Sequence, residues 1–269
     1  FDLAALHAEE DEVVAQIQEG PLRVFLGSPA PDAQPAEPAA DDDTPIWDVS
    51  ALAMPEAPQD EDEVGGINFL DTAACYGSSE DLIGRTIAHR RDEYALATKC
   101  GDAYVGSPSI PWTAQTIRDN IDRSLARMKT DHLDLVQLHS CNVSTLQRGE
   151  AIGALLEAKE AGKTRFVGYS GDNEAALWAI ESGQFDTLQT SFNVTDQYAR
   201  IRLFGPAKSR GMGMIIKRPI ANGALGKAAS PYSYADAYWD RSRAMTVPDG
   251  APKDGIELAL RFTLSHDAI

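Results

Sequence analysis

The chain has 269 residues, of which 43% are hydrophobic and 24% are charged, so its composition is globular and excludes disorder throughout. Its 41 acidic and 24 basic residues give a net charge of −17, a surface that repels phosphate backbones, and we expect no nucleic-acid binding. No run reaches the ~18 to 20 apolar residues that cross a bilayer, and no signal peptide is evident, which predicts a soluble protein without a membrane partner. Three cysteines without a CxxC pair favour a reducing cytoplasm.

The negative charge is concentrated in the N-terminal quarter of the chain. Residues 1–65 contain 17 acids and one base, Arg23, whereas residues 66–269 contain 24 acids and 23 bases. Within residues 1–27, the spacing of apolar residues predicts a helix at 2–18, and residues 23–26 are a possible strand. Residues 28–65 are acidic and rich in Pro and Ala, which predicts a largely disordered linker. We therefore attribute the net charge of −17 to residues 1–65, since residues 66–269 are close to neutral.

From residue 66 onward, short apolar runs alternate with stretches of helical periodicity. The predicted strands are 67–70, 94–98, 133–138, 165–169, 188–191 and 213–216. The predicted helices are 79–89, 113–128, 145–161, 173–182, 196–209 and 255–265. Strict alternation indicates an α/β fold with parallel strands and crossover helices, either an open sheet or a closed barrel. The GxGxxG and GxxxxGK[ST] fingerprints typical of open nucleotide-binding sheets are absent from the sequence.

Polar residues occur where the first three predicted strands end. Asp71, Lys99 and His139 occupy these positions, and Tyr76 lies in the loop after the first strand. In a β/α barrel such ends surround one mouth. A lysine cation beside a phenol favours the phenolate, and a carboxylate keeps that lysine charged, so this set could supply a tyrosine proton near neutral pH. Taken singly, these residues are more typical of a cap or turn (Asp71), a packing contact (Tyr76) and a structural histidine (His139), and it is their order and context that favour a site.

The motifs around these residues carry a resemblance to a known family. They are GINFLDTAACYG (66–77), ATK (97–99), DHLDLVQLH (131–139), GKTRFVGYS (162–170), LQTSFN (188–193) and residues 211–225. In order and spacing, the set over residues 65–269 resembles the aldo-keto reductases. The resemblance implies a TIM-type (β/α)8 barrel and a catalytic tetrad of Asp71, Tyr76, Lys99 and His139 with Tyr76 as general acid. It also implies a nicotinamide cofactor, NADPH with NADH not excluded, and a small-molecule carbonyl substrate.

By the same resemblance, Ser170 and Gln189 hydrogen-bond the carboxamide of the cofactor, although a turn serine and a strand glutamine are the alternative. The family usually has Asn after this serine, and here the residue is Gly171. Lys217 replaces an aromatic residue that commonly stacks on the nicotinamide, with Arg218 beside it. The two cations either approach the cofactor's pyrophosphate or face solvent. Trp112 is a candidate wall of the substrate site.

The three cysteines lead to a further expectation. Cys75, Cys100 and Cys141 form no CxxC pair, which argues against disulfides and a structural zinc site, and we predict no metal ligands. All three flank tetrad positions, so a lowered thiol pKa near Lys99 could make the site oxidation-sensitive, unless the placement is chance.

The first and last barrel strands have no good candidates, and we expect a fragment or an aberrant member of the family that binds cofactor weakly or not at all.

The sequence therefore predicts an NAD(P)H-dependent reductase of aldehydes or ketones. The alternative is an inactive or regulatory nucleotide-binding relative of the same fold, and an unrelated β/α barrel would require coincidental tetrad spacing. Substrate identity and oligomeric state are not predicted.

Overall fold

The structure is a computed structural model that describes residues 68–103, 109–247 and 250–266. The chain divides into two compact units, one ending at Gly168 and the other beginning at Tyr169. The predicted N-terminal helix, strand and linker lie outside the described residues. None of the helices in the described ranges is both long and apolar enough to span a membrane.

The first unit is built on parallel strands β1 (Phe69–Asp71), β2 (Ala95–Cys100) and β3 (Leu133–His139). β2 pairs with β1 on one side and with β3 on the other, and the register places Asp71 opposite Ala97 and Lys99 opposite Gln137. Because the strands are parallel, their carboxyl ends lie at one edge of the sheet. Asp71 and His139 are the last residues of their strands, so the sheet places both at that edge.

Helices connect these strands. They are α1 (Ser79–Thr86), a 3-10 turn (Ala88–Glu93), α2 (Ala114–Met128), α3 (Val143–Arg148) and α4 (Glu150–Glu160). α2 begins at an N-cap, Thr113, whose side chain accepts a hydrogen bond from the Thr116 N–H. Its apolar face, including the fully buried Ile117 and Ile121, closes the core.

The second unit contains the end of β4 (Thr164–Ser170), together with β5 (Thr187–Ser191) and β6 (Gly213–Lys217). β5 and β6 are parallel, with Gln189 opposite Ile215 and Ser191 opposite Lys217. The helices are α5 (Asn173–Ser182), α6 (Tyr198–Arg202), α7 (Phe204–Ser209), α8 (Asp236–Arg243) and α9 (Gly255–Leu264). Two 3-10 turns, Ala221–Gly223 and Ser233–Ala235, precede α8.

An aromatic cluster fills part of the core of this unit. The ring of Phe192, which is fully buried, lies 4.9 Å from Phe204, 5.3 Å from Phe262 and 4.8 Å from His266, measured between ring centroids. Edge-on and tilted contacts of this kind stabilise beyond the area that they bury. The cluster anchors α9 beside the strand β5, which Phe192 directly follows.

Six strands alternate with helices, and the described pairings are parallel, as in an incomplete (β/α)8 barrel. Each of the six predicted strands is confirmed to within two residues at either end over the described residues. The predicted helix at 145–161 is wrong as one element, because Gly149 adopts a φ of 72° and separates α3 from α4. The predicted helix at 196–209 is likewise two helices, α6 and α7.

Candidate functional site

The first unit brings the four predicted tetrad residues together. Asp71 and His139 end their strands, Lys99 lies within β2, and Tyr76 lies in the loop that follows β1. Two backbone hydrogen bonds attach this loop to β2, from the Thr72 N–H to the Ala97 carbonyl at 2.9 Å and from the Ala74 N–H to the Lys99 carbonyl at 3.0 Å. The loop is therefore held over the end of β2.

Lys99 is the buried centre of this group. Its side chain is 3% exposed, and its ammonium donates to Asp71 Oδ2 at 2.6 Å and to the Thr72 carbonyl at 2.9 Å. The Gln137 amide donates to the other Asp71 oxygen at 3.3 Å. The Lys99 ammonium also lies 5.3 Å from the centroid of the Tyr76 ring. A paired cation thus lies beneath an aromatic ring that is 47% exposed.

His139 completes the group from β3. Its ring contacts the Tyr76 ring edge-on, with 5.7 Å between centroids. The arrangement offers a phenol accessible to a bound molecule, a cation beneath it and an imidazole at its side. Chemically, such a set can donate a proton to a carbonyl oxygen and hold that oxygen by a hydrogen bond.

Sequence reasoning missed Asp102. Its carboxylate oxygen Oδ2 lies 2.6 Å from His139 Nδ1. Burial raises the pKa of the Asp102 carboxyl, but hydrogen bonds from His139 and Cys75 outweigh it and leave the pKa below its usual value. Because an ionised carboxylate only accepts hydrogen bonds, Nδ1 carries the proton in this contact. Its position just after β2, like that of the other candidates, is a signal that could have identified it.

The pKa values of the three cysteine thiols differ from the prediction. The pKa of Cys75 is raised to about 12, chiefly because the thiol is partly desolvated although the residue is exposed, and further by a hydrogen bond to Asp102, while Lys99 opposes the shift. Burial likewise raises the pKa of Cys141 to about 12, and it raises that of the fully buried Cys100. The expectation of a lowered thiol pKa was therefore wrong, because burial and a neighbouring carboxylate outweigh the lysine. Thiols that stay protonated are poor nucleophiles, which argues against oxidation sensitivity.

Trp112 packs over Gly101, directly after β2. Gly101 has a φ of +116°, and a Cβ there would lie 1.9 Å from the Trp112 ring. The Gly101 carbonyl accepts a hydrogen bond from the Trp112 N–H at 3.0 Å. Only glycine allows this approach, which fixes the half-buried indole beside the end of β2, the strand that contains Lys99 and that Asp102 follows.

The second unit contains the predicted cofactor residues. Ser170 ends β4 and Gln189 lies in β5, both are buried, and the Ser170 hydroxyl donates to Gln189 Oε1 at 2.8 Å. Tyr169 occupies the space beside Gly171, because a Cβ at 171 would lie 2.4 Å from the Tyr169 hydroxyl oxygen. The departure from Asn at this position therefore has a packing cause.

Lys217 and Arg218 share one carboxylate that sequence reasoning also missed. Asp172 Oδ2 lies 3.1 Å from the Lys217 ammonium and 3.6 Å from the Arg218 guanidinium. Its other oxygen accepts from the Ser191 N–H at 2.7 Å. Burial opposes ionisation of Asp172, but Lys217 and these hydrogen bonds hold its pKa below the usual value. The cation side chains are 18% and 24% exposed, so both are largely covered rather than facing solvent.

Arg218 has further partners. It donates to Ser191 Oγ at 2.7 Å and to the Tyr234 hydroxyl, and its guanidinium stacks 4.8 Å from the centroid of the Tyr234 ring. Its backbone adopts a φ of 60°, a conformation that non-glycine residues rarely adopt. These contacts hold a strained residue at the end of β6.

Comparison with known proteins identifies relatives of one kind. The model described as "Aldo/keto reductase family" matches residues 65–267. L-galactose dehydrogenase of Arabidopsis thaliana is 32% identical over 220 residues, which cover 76% of this chain and 68% of the relative. The NADH-specific methylglyoxal reductase of Escherichia coli (strain K12) is 25% identical, with 60% of this chain and 54% of the relative covered. The chain thus spans between about half and two thirds of these curated relatives' length.

Among solved structures, the holo form of aldo-keto reductase AKR11C1 from Bacillus halodurans is similar, with a TM-score of 0.61 and 27% identity. The match covers 76% of this chain and 70% of that chain. The solved structure is named as a member of the same family as the model that matches residues 65–267.

Proposed function

Because the chain belongs to the aldo/keto reductase family, we propose that it is an NAD(P)H-dependent oxidoreductase that reduces the carbonyl of an aldehyde or ketone. The observation that carries the proposal is the buried Lys99 ammonium, which contacts Asp71 at 2.6 Å and lies 5.3 Å from the Tyr76 ring. A cation in this position stabilises the negative charge that develops on the Tyr76 oxygen when its proton is given to a substrate oxygen.

The remaining residues of the first unit orient the reaction. Asp71 neutralises Lys99 and fixes its ammonium, since the two are joined at 2.6 Å and Lys99 is almost fully buried. His139, edge-on to Tyr76 and held by Asp102, would contact the substrate beside the phenol and limit the ways in which it can lie against Tyr76. Trp112, fixed over Gly101, would contact the apolar part of the substrate.

The second unit carries groups that fit a nicotinamide cofactor. Ser170 and Gln189 present a hydroxyl and an amide side by side, the chemistry that recognises a carboxamide. Lys217 and Arg218 present cations suited to its phosphates, while Asp172 holds both of them in place. When bound, the cofactor supplies the hydride. We propose NADPH as the cofactor, with NADH as the alternative, since one of the relatives is named NADH-specific.

Cofactor binding can be tested separately from turnover. Quenching of protein fluorescence by NADPH and by NADH would give both dissociation constants. Lys217→Ala and Arg218→Ala should each weaken NADPH binding by about 1 kcal/mol or more, as expected for a lost charge-assisted hydrogen bond. Unchanged affinity in both variants would remove these residues from the cofactor site and return them to a purely structural role with Asp172.

The proposed reaction is tested by following NADPH and NADH oxidation with a panel of aldehydes and ketones that includes methylglyoxal. The reverse direction is tested with sugars such as L-galactose, since these compounds appear in the names of the two relatives. Tyr76→Phe, which retains the ring and removes the proton, should lower kcat by about 10²- to 10⁴-fold with little change in cofactor affinity. A Tyr76→Phe variant as active as the parent would disprove the assigned role.

An inactive nucleotide-binding relative is the second candidate. This candidate predicts measurable cofactor binding without turnover of any substrate in either direction.

A further inference from the structure

Cys75, Asp102 and His139 bring three types of metal ligand to one point in the first unit. A thiol sulfur, a carboxylate oxygen and the imidazole Nδ1 all lie within 4.8 Å of one another. The reductase reaction proposed above uses His139 but requires neither the thiol nor a metal. Because Cys75 and His139 are 64 residues apart, no short motif signals the cluster, and the prediction that the chain has no metal ligands rested on such motifs.

The distances suit a tetrahedral ion. Zinc bonds of about 2.3 Å to sulfur and about 2.05 Å to nitrogen at the tetrahedral angle separate the two atoms by about 3.6 Å. Cys75 Sγ and His139 Nδ1 are 3.5 Å apart. Asp102 Oδ2 lies 2.6 Å from the same nitrogen, which is closer than two ligand atoms of a tetrahedral zinc ion. A shift of less than about 1 Å would bring it to the oxygen-to-nitrogen distance of such a site. On binding, the ion would take the place of the proton on His139 Nδ1, so that the neutral ring carries its proton on Nε2, and the Cys75 thiol would release its proton to solvent and bind as the thiolate.

The surroundings of these three residues also suit a metal ion. His139 is fixed at the end of β3 and packs against Tyr76, so its ring is already oriented. Cys75 is exposed, and the other two residues are half-buried, which gives an ion and a water molecule access. Thiolate and imidazole favour zinc-class ions over Mg²⁺ or Ca²⁺, which prefer oxygen ligands.

We infer that Cys75, Asp102 and His139 form a binding site for a transition-metal ion of the zinc class, with water as the fourth ligand. The ion binds beside the Tyr76 ring and occupies the imidazole nitrogen that otherwise contacts Asp102. The site shares no residue with the proposed cofactor groups, all of which belong to the second unit.

The test is metal binding by the full chain, stripped with chelator and kept reduced, with neither cofactor nor substrate present. Titration with Co²⁺ should produce a thiolate-to-cobalt charge-transfer band and intense visible d–d bands that saturate at one ion per chain, and Zn²⁺ should abolish both. Calorimetric titration with Zn²⁺ should give the same stoichiometry. Because none of these readouts depends on turnover, they remain informative even if the chain reduces no carbonyl.

Variants assign the ligands. Cys75→Ser should remove the charge-transfer band, and Cys75→Ser, Asp102→Asn and His139→Gln should each weaken Zn²⁺ binding by more than about 100-fold, since loss of an outer-shell partner alone weakens it by about 10- to 100-fold. Cys141→Ala is the matched control, because its thiol lies outside the cluster, and it should bind Zn²⁺ as the parent does. Circular dichroism would verify the fold of each variant.

Two outcomes would overturn the assignment. One is a parent protein without a charge-transfer band at saturating Co²⁺. The other is a band that survives Cys75→Ser or disappears in Cys141→Ala, which would place the thiolate ligand elsewhere.

Discussion

The carboxylate of Asp102, just after β2, lies 2.6 Å from Nδ1 of His139. The contact holds the imidazole ring that packs against Tyr76. Asp102 is ionised at neutral pH because hydrogen bonds from His139 and Cys75 lower its pKa despite partial burial. This contact sets which ring nitrogen carries a proton and how the ring is turned. We therefore expect Asp102 to act as a positioning residue for the proposed reaction.

The first prediction concerns this contact. In chelator-treated protein, Asp102→Ala should lower kcat/KM for carbonyl reduction by about 10- to 100-fold, equivalent to about 1.5–3 kcal/mol for a hydrogen bond to a charged group. Nitrogen-15 NMR of the His139 ring should show a smaller fraction of the Nδ1–H tautomer. Asp102→Asn, which keeps an oxygen acceptor, should restore part of both effects. An unchanged tautomer ratio in Asp102→Ala would contradict the positioning role, whatever happens to the rate.

A second prediction concerns the ion pair between Lys99 and Asp71. Lys99 is 3% exposed, and Asp71→Asn would leave its cation buried without a counter-charge. Because the Asp71 side chain is 27% exposed, solvent reduces the penalty, and we expect a loss of about 2–3 kcal/mol in the free energy of unfolding by urea. Activity should fall as well, since the ammonium loses its anchor.

The double variant Asp71→Asn/Lys99→Met serves as the control for this pair. Removing the cation together with its partner should recover part of the lost stability but none of the activity, because only the stranded charge is relieved. If Lys99→Met lowers the free energy of unfolding of Asp71→Asn by as much as it lowers that of the parent, the two residues are not coupled.

A third prediction tests the packing of α1 on α2. A Cβ at Gly84, in the middle of α1, would lie 2.0 Å from the Arg127 carbonyl oxygen in α2. The backbones of the two helices approach closely here, and Gly84→Ala should destabilise the protein by about 1–3 kcal/mol through overpacking.

The matched control is Gly153→Ala in α4, where a Cβ has nothing within 4 Å. Alanine has the higher helix propensity, so this change should stabilise the protein by about 0.5–1 kcal/mol in the same urea experiment. Equal effects at Gly84 and Gly153 would mean that the close approach of the two helices does not determine stability.

The fold was largely predictable because each strand is a short apolar run bounded by polar residues. The exceptions have identifiable causes. Gly149 ends α3 with a positive φ that apolar periodicity does not register, and α8 was missed because its sequence is polar and Tyr238 is its one buried residue. Apolar spacing detects buried faces, so an element with little buried surface gives little signal.

The site was predictable to a smaller extent. Strand ends and the family resemblance predicted Asp71, Tyr76, Lys99 and His139 as site residues, and these four residues lie together in the structure. Asp172 was missed because it occupies the N-cap of α5, a position where aspartate needs no other explanation, whereas its side chain accepts from the Ser191 N–H and pairs with Lys217. Such partners are set by tertiary contacts between distant strands and leave no local pattern.

The last prediction concerns acid stability and rests on Asp134. Its side chain accepts from the Leu96 N–H at 2.9 Å, from Arg91 at 2.7 Å and from Arg165 at 3.0 Å. Burial opposes ionisation, but the Leu96 hydrogen bond and the two arginines lower the pKa of Asp134 below its usual value.

A carboxyl whose pKa is lower in the folded state stabilises the fold above its unfolded pKa of about 3.9, and the contribution disappears as the pH falls through the folded value. Asp134→Asn should therefore be less stable than the parent at pH 7, and the difference should shrink as the pH is lowered below about 4. Urea unfolding across this range measures both proteins. Asp131→Asn is the matched control, since Asp131 is exposed and bonds only to its neighbour His132 among the contacts described, and it should change stability little at either pH. A stability difference for Asp134→Asn that stays constant from pH 7 to the acid limit would mean that ionisation of this carboxyl is not what stabilises the fold.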